Sequence, residues 1–115
     1  MNEDLKELGE LEENWDGEGS LPIDKEILAA AERLLEDLNE FTPKAIIPMG
    51  VAPGHAGNLQ FEWWKGKKSL EIELEDPQTV HYLKWDPDNK FEEEGLFPIK
   101  DNAGKILSLI QWFYN

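Results

Sequence analysis

Leu5, Leu8 and Leu11, followed by Trp15, recur at steps of three, three and four, which marks one face of a helix over residues 3–13. Its other faces carry Glu3, Glu7, Glu10, Glu12 and Glu13. The run Asn14-Trp15-Asp16-Gly17-Glu18-Gly19-Ser20 breaks that period, because two glycines within three residues supply turn conformations that other residues resist. A second helix is expected to start at Asp24 as N-cap, with Ile23 positioned to staple onto Leu28. Ile27, Leu28, Ala31, Leu34, Leu35 and Leu38 form its apolar face, and it ends before Phe41-Thr42-Pro43.

Beyond Pro43 the period falls to two. A short apolar segment, Ala45-Ile46-Ile47, leads into residues 48–58, whose two prolines and three glycines read as a mobile loop. Leu59, Phe61 and Trp63 then alternate with Gln60, Glu62 and Trp64, and Leu70, Ile72 and Leu74 alternate with Glu71, Glu73 and Glu75. A two-residue turn at Gly66-Lys67 pairs Trp63 with Leu70, Phe61 with Ile72 and Leu59 with Leu74, the register that collects every apolar side chain on one face. A third strand, Thr79 to Trp85, places Val80 against Leu74 and Tyr82 against Ile72. Phe91 to Phe97 supplies an edge strand in which Glu92-Glu93-Glu94 discourages edge-to-edge pairing. A last helix, Asn102 to Asn115, is capped by Asp101 or Asn102 and buries Ile106, Leu107, Ile110, Phe113 and Tyr114. The expected fold is α+β in a single domain over residues 1–115: two N-terminal helices, an antiparallel meander of four to five strands and a C-terminal helix, with the helices on one face.

Charge adds to this picture. Fourteen of the 25 acidic residues fall in the first forty positions against Lys6, Lys25 and Arg33, so that third of the chain carries a net charge of −11 out of −14. Such a surface repels nucleic acid and anionic lipid, and it attracts basic protein surfaces over a Debye length of about 8 Å. The 40% hydrophobic content sets the chain apart from disordered acidic sequences. Without cysteine there is neither a disulfide framework nor a thiolate nucleophile. The acidic start Met1-Asn2-Glu3-Asp4 is unlike a signal peptide and no apolar run is long enough to span a bilayer, so a cytoplasmic location is expected.

Candidate chemistry is sparse. The strand register sets Glu62 opposite Glu71 and Glu73 opposite both Gln60 and His81, which reads first as a solvated face with one Glu73–His81 ion pair. A metal-assisted hydrolase built on Glu62, Glu71, Glu73 and His81 is the alternative from a different class. Trp64, Leu83 and Trp85 share that face and leave apolar area exposed for a partner. Asp16, Glu18 and Ser20 alternate like the first ligands of a calcium loop, but the twelfth position is Ile27 where a bidentate glutamate is needed. His55 stands alone in its loop, and no serine lies in a nucleophile motif. Lys65, Lys67 and Lys68 are too few to make a nucleic-acid groove. No cofactor and no metal is expected.

The order of motifs resembles that of a widespread group of small uncharacterised bacterial and phage proteins with an NWDG-x-G-A turn and paired LEW and LEI strands. Here the matching residues are Asn14-Trp15-Asp16-Gly17-Glu18-Gly19-Ser20, Phe61-Glu62-Trp63 and Leu70-Glu71-Ile72-Glu73, within residues 5–85. Ser20 replaces the usual alanine, Phe61 the usual leucine, and the loop at 48–58 is longer. The resemblance implies antitoxin, immunity or anti-defence roles and brings no catalytic residues. Together with the charge it leads to an expected non-catalytic inhibitor that masks a basic nucleic-acid-binding surface of a bacterial nuclease, CRISPR effector or toxin, without contacting nucleic acid or membrane itself. The residues expected to carry the contact are Glu3, Glu7, Glu10, Glu13, Asp16, Glu18 and Glu36 in the N-terminal acidic region, with Trp64 and Trp85 on the sheet as a second surface.

Overall fold

The computed structural model describes residues 3–41 and 48–115. Two helices, α1 (Glu3–Gly9) and α2 (Lys25–Phe41), precede five strands, β1 (Gly50–Pro53), β2 (Leu59–Lys65), β3 (Lys68–Leu74), β4 (Thr79–Asp86) and β5 (Phe91–Pro98), and helix α3 (Ala103–Tyr114) follows them. The strands form one antiparallel sheet in the order β1-β2-β3-β4-β5, so each pairs with its neighbours in the chain. This is the expected α+β arrangement, and Ala45-Ile46-Ile47 lies outside the described residues.

Register follows from the turn. Gly66 adopts φ +60° while Lys67 keeps a negative φ, the pattern of a two-residue hairpin turn with glycine in its first central position. Trp63 thereby faces Leu70, Phe61 faces Ile72 and Leu59 faces Leu74, and β4 continues with Val80 opposite Leu74 and Tyr82 opposite Ile72. Those side chains, from Leu59 to Val80, form a fully buried layer. Leu5 and Leu8 of α1, Ile27, Ala31, Leu34 and Leu38 of α2, and Ile106, Leu109, Ile110 and Phe113 of α3 close over it. All three helices therefore cover one face of the sheet, and the other face is open.

Five details depart from expectation. Helix α1 stops at Gly9 rather than continuing to 13: Glu10 and Leu11 donate to carbonyls three residues back, at Glu7 and Leu8, so the last turn tightens. Gly9 also lies against α2, where an added Cβ would sit 2.8 Å from Leu28 Cδ2. Residues 48–58 are ordered, not a free loop. Val51 pairs with Phe61 to make β1, whose terminal Pro53 is tolerated because β1 is an edge. In α3, Tyr114 is exposed and Leu109 takes the buried place, because the periodic face turns away from the sheet at the last residue. Asn102 is the N-cap position of α3 but makes no capping bond; its Nδ2 donates back to the Pro98 carbonyl at 2.6 Å. Asp24 does cap α2, accepting from the N–H groups of Glu26 at 2.8 Å and Ile27 at 3.2 Å, and the helix runs one residue longer than expected, to Phe41. No helix among the described residues is long and apolar enough to cross a membrane.

Candidate partner-binding surfaces

Alternation along the strands sorts charge as well as apolar side chains. Even positions of β2, odd positions of β3 and β4's odd positions share the open face, where Glu62 faces Glu71, Glu73 faces Gln60 and His81, Leu83 faces both Glu71 and Glu94, and Trp85 faces both Ser69 and Glu92. The strand lysines have the opposite parity. Lys65 and Lys68 pair with each other, and Lys84 faces Leu70 and Glu93 on the covered side. There Lys68 Nζ donates to the Trp112 carbonyl at 2.9 Å, and Lys68 and Lys84 stand 4.7 and 5.4 Å from the Trp112 ring centre, fastening α3 to the sheet. Among the described strand residues, the open face is left with Glu62, Glu71, Glu73, Glu92 and Glu94, with His81 as the one group able to become cationic.

The carboxylates on this face crowd one another. Burial pushes the Glu71 carboxyl above the ordinary glutamate value, and the neighbouring charges of Glu62 and Glu73 push it further. Just past the end of β3, Glu75 is raised chiefly by a hydrogen bond with Glu73. His81 lies between Glu73 (Nδ1 to Oε1, 3.4 Å) and Glu94 (Nε2 to Oε2, 3.7 Å), the expected ion pair extended by one partner. Asn58 Nδ2 donates to Glu73 at 2.9 Å, and Gln60 Nε2 donates to Glu62 at 2.7 Å. At one end of the face, Trp64 and Trp85 flank Ser69, two strand spacings or roughly 10 Å apart, and remain 49% and 47% exposed. The Trp64 ring leans over Gly50, with Met49 accepting its backbone N–H at 3.3 Å.

The N-terminal acidic residues come from two helices and the connector between them. Glu3 and Glu7 are exposed on α1 and Glu36 on α2, while Glu10 and Glu13 lie beyond the shortened α1. Glu18 is exposed in the connector. Asp16 belongs to a different structure altogether. Asn14, Gly17 and Gly19 take positive φ, folding the connector so tightly that Asp16 Oδ1 accepts from the Glu18 N–H at 2.9 Å and Oδ2 accepts from Ser20 Oγ at 2.5 Å. These bonds, that of Ser20 first, hold the Asp16 carboxyl down at about 2. The calcium-loop reading fails on the same geometry, since Ile27 is buried in the core.

His55, solitary in the sequence, completes that cluster. Its Nδ1 stands 2.7 Å from Ser20 Oγ and 3.3 Å from Asp16 Oδ2. Ser20 has one proton and gives it to Asp16, so His55 Nδ1–H donates to Ser20. A nucleophilic triad needs the histidine to take the serine proton on one nitrogen and hold the aspartate with the other. Here both partners share Nδ1, and Ser20 is 2% exposed. The cluster is a latch between two loops. Leu21 N–H donates to the His55 carbonyl and Asp24 N–H to that of Gly57, both at 2.9 Å, and Trp15 Nε1 donates to the Leu21 carbonyl. The groups Asp16, Glu18, His55 and Glu73, Glu75, His81 each gather three ligand-type atoms within 4.8 Å. In the first, the Asp16 oxygens already serve the connector; in the second, both His81 nitrogens face carboxylates.

Comparison with protein-family models, with curated proteins and with solved structures finds no match to this chain.

Proposed function

We propose that the chain is a non-catalytic inhibitor that masks a basic, nucleic-acid-binding surface of a partner protein such as a nuclease, CRISPR effector or toxin, and that it docks through the open face of the sheet. The observation that carries this reading is the sorting of charge: glutamates and two half-exposed tryptophans share one uncovered face, while the strand lysines are committed to the other. Carboxylates held together above their ordinary pKa gain when a cation arrives, because it removes their mutual repulsion. Tryptophan beside them offers desolvated contact area and a ring face for arginine or lysine.

The N-terminal carboxylates support a second docking surface, with Glu3, Glu7 and Glu36 exposed on the helical layer and a net charge of −11 over the first forty positions. Affinity capture from the native host at low salt, with competing nucleic acid in the eluent, tests both. Capture of a nucleic-acid-binding protein that nucleic acid displaces is the expected result. Its loss with Trp64→Ala and Trp85→Ala, and its survival with Glu7→Lys, Glu10→Lys and Glu13→Lys, places the contact on the sheet; the reverse pattern places it on the helices. A captured partner that neither salt nor nucleic acid releases would sink the masking reading.

A further inference from the structure

Resting on the reading that the chain binds a basic partner, we propose that β5 is the docking edge: an extended partner segment with lysine or arginine at alternate positions adds to it as a sixth strand. β5 ends the strand order and pairs only with β4, so one side of its backbone has no strand partner among the described residues. An unpaired row of N–H and C=O groups is a template for another chain. Most edges are blunted by shortness, a bulge or an internal proline. The other edge, β1, has four residues, ends in Pro53 and has α1 against it. β5 has eight residues in an unbroken register with β4, from Thr79–Pro98 to Asp86–Phe91, and proline only at its end. Seven of its eight residues are not buried, and Leu96 is 68% exposed.

What β5 has instead is charge, and charge selects the occupant. Glu93 is engaged within the sheet, with Lys84 Nζ at 3.2 Å and the Tyr82 hydroxyl donating to it at 3.2 Å. Glu92 and Glu94 face the open side, two residues apart, with Leu96 next on the same face. A second copy of this chain fits badly: antiparallel pairing of β5 with itself about Glu93 sets Glu92 against Glu94 and Glu93 against Glu93, and pairing about Glu94 opposes the two Glu94 carboxylates. A strand with two cationic residues two apart, then an apolar one, meets Glu92, Glu94 and Leu96 in turn. The two registers that centre on the glutamates are thus disfavoured for a second copy, and the same charges favour a basic strand.

The test uses the full chain and two blocked eight-residue peptides, both with lysine and valine in alternation, one of them N-methylated at every residue. The methylated peptide keeps each charge and loses each backbone donor. At low salt the unmethylated peptide is expected to bind at least about tenfold more tightly and to slow hydrogen exchange at β5 amides. The double variant Glu92→Lys, Glu94→Lys is expected to lose that peptide and take up one in which glutamate alternates with valine. Equal affinity for the two lysine peptides, or binding without β5 protection, overturns the edge; if Trp64→Ala then weakens both peptides alike, docking on the sheet face still stands. No binding of either peptide also overturns the edge, leaving the masking function to the capture experiment. A free chain that is dimeric with β5 already protected overturns it in favour of a second copy.

Discussion

Asp16 and Glu71 carry the same functional group and are pushed in opposite directions. In the connector, Asp16 is surrounded by donors, the Ser20 hydroxyl first and the Glu18 N–H second, and its carboxyl falls to about 2. On the open sheet, Glu71 is half-buried among Glu62 and Glu73 and its carboxyl rises. The first charge is fully answered within the chain and holds two loops together. The second is not answered, and ionising it costs the folded state. An acidic protein can thus use carboxylates both as staples and as unmet charge, and local donors, not net charge, decide which.

The sharpest way to break the comparison is to remove the donor at the staple. Ser20→Ala removes the hydroxyl that Asp16 and His55 Nδ1 share, and is expected to lower stability measurably in urea denaturation. On the open face the sign should invert. Glu71→Gln keeps the shape and removes the repulsion with Glu62 and Glu73, and is expected to raise stability by a few tenths to about 1 kcal/mol; a loss of stability would show that these charges are already compensated. The smallest effect is in the pH dependence, followed as the melting temperature between about pH 2 and 7. Asp16 stabilises the fold above its ordinary value of 3.8, and that contribution is lost as pH falls from there through about 2. Glu71 and Glu75 have folded values raised above 4.5, so the folded state binds protons more tightly and their contribution is lost as pH rises through those raised values. Asp16→Asn should flatten the acid limb and Glu71→Gln the limb above it.

The sheet was legible because several local signals agreed. Gly66-Lys67 fixes a two-residue turn, and Leu59 to Leu74 alternate so regularly that a one-residue slip would bury glutamate. The parity of Lys65, Lys68 and Lys84 is equally readable from that register. β1 was not legible: Val51 is isolated among prolines and glycines, and its strand form comes from pairing with Phe61, not from its own propensity. The glycine spacing of the connector marked a tight turn, but nothing near it in sequence pointed to His55, which meets Ser20 across 35 positions. Tyr114 continued the helical period one residue past Phe113, the last side chain of α3 in the core. Glu10 and Glu13 were placed on a helix because the leucine spacing runs on to Leu11, whereas Gly9 meeting Leu28 ends it first. On the sheet, the placement of Trp64, Trp85 and the facing glutamates followed from alternation, whereas the end of α1 did not follow from the leucine spacing.

The strand order has a kinetic consequence. Every strand of the meander pairs with its chain neighbour, and hairpins of that kind close within about 1–10 μs. The latch must instead bring together Ser20 and His55, 35 positions apart, and it does so through a few hydrogen bonds between two loops. It is therefore expected to open more readily than the sheet. Amides of Leu21 and Asp24, which bond across the latch, should exchange through a local opening that leaves β3 and the helical layer over it protected.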